Sequence, residues 1–278
     1  MKNQTQKAEE FRELHRRKKL LILPNAWDVP SARIFEDEGF PAIATSSAGV
    51  MVSLGYPDGE VIDRKSFVAA TQRIASALSV PLSADIVSGF GATPRDVMTT
   101  VKSVLKAGAV GINIEDFDHA SGKLVPLKRQ VEKLRALGAL RDSQRVPFVI
   151  NARTDALRHA IGNERARLEE AIRRGIAYRN TQADCIYPMG LTNAASIETF
   201  VRALDCPVNV MVRPGLPSVS ELERLGVKRL SLGPSASYAA LGLLRRASRE
   251  LLERGTYATL LDGAINFDEL NRLAVPKR

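Results

Sequence analysis

Compact apolar runs alternate with amphipathic segments along nearly the whole chain. Each run is too short for a typical helix and is bounded by turn residues, which favours buried strands. In most of the intervening segments, apolar residues recur at the three- and four-residue spacing of a helix with one buried face. The predicted strands lie at 20–28, 42–47, within 81–91, and at 110–115, 147–155, 184–187, 207–211 and 229–233.

Helices are predicted between these strands and at both ends of the chain, because the apolar stripes there have helical spacing. Residues 48–60 lack such a stripe and are predicted as a long loop. The predicted helical segments are about 5–18, 30–38, 63–78, 97–104, 127–137, 168–176, 218–225 and 237–254, with a further short element at 267–273.

Eight strands that alternate with helices predict one (β/α)₈ TIM-type barrel domain over residues 1–278, with a C-terminal helical extension at about 237–275. With 45% hydrophobic residues, the chain can bury a core of this size. A doubly wound dinucleotide fold would place a G-x-G-x-x-G turn after an early strand. The first predicted strand instead runs into the sequence NAWD at 25–28, which disfavours that fold.

The stretch 81–91 brings a carboxylate to the end of a buried strand. Ser83 and Asp85 alternate with apolar residues, so Asp85 lies at the carboxyl end of the strand. Thr93 and Pro94 suit the cap and the first turn of a helix. A glycine-containing turn therefore joins this strand to the next helix, and in a barrel such turns form the active-site face.

Polar and charged residues also follow the other predicted strands. Asp58, Asp85 and Glu115 offer the hard oxygen ligands that Mg²⁺ or Mn²⁺ requires, directly or through water. Arg153 can hold a carboxylate or phosphate through two parallel hydrogen bonds. Hydroxyl and N–H groups at 46–49 can hold a second anionic group. The strand-end and loop candidates together are Trp27, Thr45, Ser46, Ser47, Tyr56, Asp58, Asp85, Glu115, Asp116, Arg153, Asp155 and Asn209.

Each candidate also has a plainer structural interpretation. Asp58 lies between a proline and a glycine and fits an ordinary turn. Glu115 and Asp116 fit an exposed pair at the end of a strand. The other plain interpretations are an isolated Arg153–Asp155 ion pair, a core position for Trp27 and a solvated loop position for His119.

The chain carries a positive net charge, since lysine and arginine exceed aspartate and glutamate by 40 − 31 = 9. Only 16–19 forms a compact basic run, which is typical of a solvated helix end, and aromatic residues make up 5%. Nucleic acid is therefore not a predicted partner, whereas the surplus charge favours small anions.

Localisation follows from what the sequence lacks. Cys185 and Cys206 lie in apolar runs without metal-type spacing and fit buried thiols in a reducing compartment. The N-terminal residues lack the apolar core of a signal peptide, and no apolar run approaches the roughly 18 residues of a membrane span. We expect a soluble, cytoplasmic protein without membrane contact.

Several short motifs, in order along nearly the whole chain, resemble the isocitrate lyase/phosphoenolpyruvate mutase superfamily. They are PNAWD at 24–28, TSSAG at 45–49, LGYPDGE at 54–60, SAD at 83–85 with GFG at 89–91, GINIED at 111–116, GKLVP at 122–126 and NARTD at 151–155. The resemblance implies a (β/α)₈ barrel, usually a tetramer whose last helices are exchanged between subunits, or a dimer formed by that exchange. It also implies Mg²⁺- or Mn²⁺-dependent chemistry on small anionic 2-oxo acids or their enolates.

By motif, the resemblance implies that Asp85 is the main metal-site carboxylate, with Asp58 and Glu115 as ligands through water. Arg153 and the metal would stabilise the developing enolate electrostatically. The implied catalytic residues are Arg153, Glu115, Asp58 and His119. The implied substrate-binding residues are Trp27, Ser46, Ser47, Ala48, Tyr56, Asn151, Arg153 and Asn209.

Two features depart from the family pattern. Val87 stands where the family has an acid, so metal affinity should fall. The loop 117–123 is short and lacks the catalytic cysteine of the lyase members, which leaves His119 as a substitute acid/base candidate. A shorter loop admits water, which favours decarboxylation or hydrolysis over a mutase reaction.

Two classes of function follow. The first is a Mg²⁺-dependent lyase, decarboxylase or hydrolase that acts through an enolate on an oxaloacetate- or phosphonopyruvate-like acid. The second is a non-catalytic carboxylate- or phosphonate-binding member with a metal site weakened by Val87.

Overall fold

The computed structural model describes residues 2–275. Its strands are β1 Leu21–Leu23, β2 Asn25–Ala26, β3 Ile43–Thr45, β4 Leu82–Asp85, β5 Gly111–Glu115, β6 Phe117–Asp118, β7 Lys123–Leu124, β8 Val149–Thr154, β9 Cys185–Pro188, β10 Asn209–Met211 and β11 Arg229–Ser231. Its helices are α1 Gln4–Arg16, α2 Val29–Asp37, α3 Ser47–Ser53, α4 Arg64–Ser76, α5 Pro94–Lys106, α6 Leu127–Ser143, α7 Ala156–His159, α8 Glu164–Arg179, α9 Ala194–Leu204, α10 Val219–Arg224, α11 Ser235–Arg254, α12 Ala258–Leu261 and α13 Phe267–Ala274.

The parallel strands close into a ring because the first predicted strand has a parallel neighbour on each side, although it is interrupted at Pro24, which has no N–H to donate. β1 pairs with β11 before the interruption, and β2 pairs with β3 after it. The ladder continues through β4, β5, β8 and β9, and a parallel bridge between Ile186 and Val208 leads towards β10, which pairs with β11. The predicted (β/α)₈ barrel is therefore confirmed.

Two loop predictions need correction. The first part of the predicted 48–60 loop is helix α3, which is capped where the Ser46 hydroxyl accepts the Gly49 N–H at 3.2 Å. Small residues there give no apolar stripe, so the sequence pattern missed the helix. The loop 117–123 contains an antiparallel hairpin of β6 and β7. The N-terminal helix also ends at Arg16, before the predicted limit of 18, because Arg17 has an extended backbone.

Helix α1 closes the N-terminal end of the barrel. Ala8, Phe11 and Leu14 are buried and pack with the first residues of the strands. Phe11 lies against Gly111 of β5, where an added Cβ would be 2.6 Å from the Phe11 Cε1 atom. The absence of a side chain at Gly111 thus makes room for the Phe11 ring, and the open end of the barrel is the carboxyl end of its strands.

The C-terminal extension packs on the same chain. The buried Leu273 of α13 lies near α2, where the Arg33 Nε–H donates to the Leu273 carbonyl at 2.8 Å. Arg272 and Asp37 form an ion pair at 2.9 Å across the same contact. Exchange of the last helices between subunits stays a prediction. Within residues 2–275, no helix combines the length and the hydropathy needed to cross a membrane.

Replacing Phe11 with alanine should destabilise the fold. The substitution leaves a cavity between α1 and β5, and such truncations of buried phenylalanine cost about 3–5 kcal/mol. Urea unfolding of Phe11→Ala, with Glu9→Ala on the exposed face of α1 as the control, measures this loss. A loss equal to that of the control would show that α1 does not close the barrel as described.

Candidate active site

A cavity of about 710 Å³ opens at the carboxyl ends of the strands. Most of the predicted substrate and metal residues line it, which agrees with the general location of active sites in (β/α)₈ barrels. The predicted residues among its lining are Ser46, Ser47, Ala48, Asp58, Asp85, Asn151, Arg153 and Asn209.

Of the residues to which the family resemblance assigns a role, four lie outside this lining, as do the strand-end candidates Asp116 and Asp155. Trp27 packs beside α3, and its backbone N–H donates to the Ser31 hydroxyl at 3.1 Å. The side chain of Tyr56 is 47% exposed. Glu115 is buried next to Arg153, and His119 lies on the hairpin turn, with its ring close to Gly59.

Asp85 is held in one orientation at the end of β4. One carboxylate oxygen accepts the Ser47 N–H at 3.0 Å, and the other accepts the Asn113 side-chain amide at 2.8 Å. The Asp85 N–H donates to the Thr45 hydroxyl at 2.9 Å. The predicted anion donor at Ser47 is therefore already used by Asp85, and each oxygen of Asp85 keeps a further lone pair for a ligand.

The turn after β4 has an unusual backbone. Val87 and Phe90 have φ values of 55° and 56°, in the left-handed region that β-branched and bulky residues avoid. Glu60 holds the turn by accepting the Phe90 N–H and the Ser88 hydroxyl, each at 2.7 Å. Lys133 donates to the carbonyls of the same turn. The Val87 side chain is 1% exposed and packs in the main apolar cluster.

Arg153 joins two buried carboxylates at the ends of β5 and β8. Its guanidinium lies 2.7 Å from Glu115 and forms two parallel hydrogen bonds with Asp155 at 2.7 and 2.8 Å. Burial alone would lower the pKa of Arg153, but the two carboxylates outweigh it and raise the pKa well above its ordinary value. The Arg153–Asp155 ion pair of the plain interpretation is therefore present, but it is not isolated, because Glu115 is a second partner of Arg153.

Glu115 and His119 form a hydrogen-bonded pair. The His119 Nε2 atom lies 2.6 Å from a Glu115 oxygen, while the Glu115 side chain is 2% exposed. Burial raises the pKa of Glu115, although Arg153 opposes this. The hydrogen bond to Glu115 raises the pKa of His119 despite partial burial. Since both pKa values rise, the pair keeps a proton to higher pH than the isolated side chains would.

Asp116, the neighbour of Glu115, is fully buried and structural. It accepts hydrogen bonds from Arg174 at 2.9 Å, from the Tyr178 hydroxyl at 2.6 Å and from the Asp155 N–H at 2.8 Å. The interpretation of Glu115 and Asp116 as an exposed pair is therefore wrong. Asp116 fixes the backbone of Asp155, whose carboxylate in turn holds Arg153.

Comparisons with known proteins agree with this arrangement of strand-end residues. A family model described as phosphoenolpyruvate phosphomutase matches residues 11–252. The 2,3-dimethylmalate lyase of Eubacterium barkeri is 32% identical over 281 residues, which cover 96% of this chain and 93% of the relative. The chain belongs to the isocitrate lyase/phosphoenolpyruvate mutase superfamily. The predicted resemblance is thus confirmed, and so is the prediction of an enzyme of this superfamily's type.

Two solved superfamily structures resemble the whole chain. A Burkholderia cenocepacia J2315 protein, provisionally described as a lyase/mutase, has a TM-score of 0.91 and 37% identity, with 99% of this chain and 98% of that chain covered. An oxaloacetate acetylhydrolase in complex with its product oxalate has a TM-score of 0.85 and 27% identity, with 96% and 93% covered.

The superfamily resemblance implies a divalent metal, and this chain fits one only in part. Among residues 2–275, no group of three or more histidine, cysteine, aspartate or glutamate side chains is placed to hold a metal ion. The predicted set of Asp58, Asp85 and Glu115 is not assembled as a ligand cluster, because Glu115 binds Arg153 and His119 instead. Asp85 and Asp58 do line the cavity, and Mg²⁺ often uses one or two carboxylates together with water and substrate.

Negative charge is concentrated around Asp58 at the cavity. Its carboxylate accepts the Gly59 N–H at 3.0 Å. Burial and then repulsion by Asp85 raise the pKa of Asp58. A cation held by these carboxylates would offset that repulsion.

Several lining residues were missed by the sequence analysis. Some of them could have been found, because polar and apolar residues alternate along their strands and the polar ones then share the inward face. Asn113 and the Arg229-Leu230-Ser231 stretch show this alternation. The loop residues at the mouth carry no such signal. The missed lining residues include Asn25, Ser83, Asn113, Arg158, Tyr187, Arg213, Arg229, Ser231 and Tyr238.

The Glu115–His119 pair can be tested by NMR titration. We expect the pKa of His119 to lie above the ordinary value, because Glu115 stabilises the imidazolium. In Glu115→Gln this pKa should fall, since the neutral amide cannot stabilise the charge. His159, whose pKa is lowered mainly by burial, serves as the internal control and should not change. An unaltered His119 pKa in the variant would contradict the pairing.

Proposed function

We propose that this protein breaks a C–C or P–C bond beside the carbonyl of a small 2-oxo acid, through an enolate. The observation that carries the proposal is the set of charged groups at the ends of β4, β5 and β8, where Asp85 and Arg153 line one cavity. An oxaloacetate- or phosphonopyruvate-like acid presents anionic and oxo oxygens that such a set can bind. Similarity to the dimethylmalate lyase and to the oxalate-bound acetylhydrolase supports this substrate class.

Arg153 is the group we assign to the developing negative charge. Its guanidinium has five N–H donors; the hydrogen bonds to Asp155 use two of them, and Nη1 forms an ion pair with Glu115 at 2.7 Å. The remaining donors are available to a substrate oxygen. Because both carboxylates hold the guanidinium in place, it does not have to reorganise when charge develops, which is the condition for effective electrostatic catalysis.

A divalent cation, Mg²⁺ or Mn²⁺, belongs to the proposal. Asp85 would hold it, with Asp58 acting through water. When bound, such an ion polarises the oxo group of the substrate as a Lewis acid. The hydrogen bonds from the Ser47 N–H and the Asn113 amide give Asp85 the rigid support that a metal-ligating carboxylate requires.

Proton transfer is assigned to His119 with Glu115. The hydrogen bond to Glu115 raises the pKa of His119, which favours the imidazolium, the proton-donating form. A protonated imidazole can donate its proton to a carbanion or a leaving group, and the neutral imidazole then regains a proton from solvent, which the hydrogen bond to Glu115 favours. His119 lies outside the cavity lining, but its ring is close to Gly59, the neighbour of the lining residue Asp58.

A non-catalytic binding protein is the second candidate, and two observations favour it. Val87 places an apolar side chain in the core where the family pattern has an acid. The Arg153 charge is already matched by Glu115 and Asp155, so a bound substrate gains less from it. In this case anions would bind without metal and without turnover.

Replacing Asp85 with asparagine separates the two candidates. We expect kcat/KM for an oxaloacetate-like acid to fall by at least about 10²-fold, because the variant loses the charge that holds the cation. In the wild type, oxalate should raise the melting temperature more when Mg²⁺ is present than when it is absent.

The control for this experiment is Asp63→Asn, which alters an exposed helix cap at a position where asparagine also caps well. Undiminished turnover in Asp85→Asn would refute the assigned role. Stabilisation by oxalate that is independent of Mg²⁺, in a protein without turnover, would favour the binding protein.

A matched pair of variants tests the effect of Val87 on metal binding. Asp and Asn both tolerate the left-handed backbone that Val87 adopts at φ 55°. Only Val87→Asp adds a carboxylate, so we expect it to bind Mg²⁺ about tenfold or more tightly than Val87→Asn, as judged by calorimetry. Equal affinities in the two variants would mean that this position does not influence the metal.

A further inference from the structure

A buried arginine lies deep in the cavity. Arg229, the first residue of β11, is 1% exposed and lines the same cavity as Asp85. Among residues 2–275, its Nε–H has no hydrogen-bond partner. A hydrogen bond joins Nη1 to the His15 Nε2 atom at 3.5 Å, which is long.

Three groups that contact Arg229 or act on its charge, those of His15, Cys185 and Tyr187, are neutral. His15 lies at the α1 end of the barrel, and its Nδ1 faces the Phe11 carbonyl at 2.7 Å, so Nδ1 carries the proton and Nε2 is an acceptor. Burial and the Arg229 charge lower the pKa of His15 to about 3, which keeps it neutral. Burial raises the pKa of the Cys185 thiol and of Tyr187, so both are neutral as well.

The charge of Asp85 acts on Arg229, but both oxygens of Asp85 already accept hydrogen bonds, from Ser47 and Asn113. No ion pair to Arg229 is found within residues 2–275. A buried cation without a counterion is strongly unfavourable unless something else compensates it.

Further polar atoms with no partner lie in the same lining. The Ser83 hydroxyl, the Asn151 Oδ1 atom and the Asn209 Oδ1 atom are all buried and unsatisfied. The orientation of Asn151 is fixed, because its amide donates to Asn113, whose own amide donates to Asp85. The Asn151 oxygen is therefore an acceptor, and the Ser83 hydroxyl can donate.

The size of the cavity leaves room for a second group. At about 30 Å³ per water molecule, 710 Å³ corresponds to roughly two dozen waters, and a small 2-oxo acid at Asp85 fills a minor part of it. Water alone could satisfy the hydroxyl and the amide oxygens, but it cannot compensate the charge of Arg229.

We propose that Arg229, with Ser83 and Asn151, forms a second, anion-binding subsite in the depth of the barrel, which takes a carboxylate or another small oxyanion. The anionic group interacts with the guanidinium and the Ser83 hydroxyl, while the Asn151 oxygen accepts from a hydroxyl of the ligand or from water. The group belongs either to the far end of the substrate or to a separate small anion. This subsite does not depend on the proposed activity, because binding can be measured without turnover.

Thermal unfolding in a zwitterionic, low-salt buffer without added metal tests the subsite. Acetate and inorganic phosphate are the probes, and Arg229→Met is the variant. We expect the wild-type melting temperature to rise by roughly 5–10 °C at an anion concentration of about 100 times Kd. Arg229→Met should melt higher than the wild type in anion-free buffer, because it lacks the uncompensated buried charge, and should show no anion-specific rise.

The variant also serves as the control for general salting effects, which act on both proteins alike. An equal rise in wild type and Arg229→Met would overturn the proposal, and so would a lower melting temperature of the variant in anion-free buffer. If Arg229→Met does not fold, Arg229→Lys replaces it. Lysine keeps the charge but loses the Nε–H, so anion affinity should fall, and an unchanged affinity would overturn the proposal.

Two further arms identify the source of the anion and separate this proposal from the proposed function. In the first arm, the melting temperature is measured with a dicarboxylate and with a mixture of acetate and oxalate. A larger rise with the dicarboxylate would show that the subsite binds the far end of the substrate, whereas equal rises would show that it binds a separate anion. Asp85→Asn should keep the Arg229-dependent response while losing turnover. A wild type without turnover that still shows this response would refute the proposed function and leave the subsite intact.

Discussion

The site depends on one partly buried guanidinium, that of Arg153, held between the buried carboxylates of Glu115 and Asp155 at 2.7 Å on each side. Removing one partner of a buried ion pair costs about 3–5 kcal/mol, because the other charge stays buried. The carboxyl ends of β5 and β8 are therefore fixed relative to each other. Glu115 also binds His119, and the Asp155 N–H donates to the buried Asp116. The contacts that position the charges at the cavity therefore also stabilise the fold.

A second constraint is the turn after β4, in which two non-glycine residues adopt the left-handed backbone conformation. Val87 and Phe90 each store strain on the order of 1–3 kcal/mol, and strain of this kind persists only where the surroundings fix the backbone. Glu60 and Lys133 provide that fixation through hydrogen bonds to the turn. The chain thus keeps the backbone shape of a functional turn while Val87 places an apolar side chain in the core.

The barrel interior beneath the mouth is polar, although interiors of such barrels are usually filled by bulky apolar side chains. Ser83, Asn151 and Arg229 leave buried donors and acceptors without protein partners, so this interior is suited to bind a polar ligand and not only to stabilise the fold. Helix α1 closes the opposite end with the Phe11 ring, which leaves the open mouth as the route to these groups. Net positive charge on the chain favours anions on that route.

The sequence by itself determined the barrel, the position of Asp85 at a strand end and the family, because strand and helix periodicity and short motifs are local properties. It also marked Val87 as a departure. Only the tertiary structure decided that Glu115 binds Arg153 and His119 and does not join Asp58 and Asp85 in a metal cluster. The same holds for Arg229, whose lack of a counterion cannot be read from neighbouring residues. Pairing of charges depends on side chains brought together from distant strands, and on how much water remains around them, which no local pattern encodes.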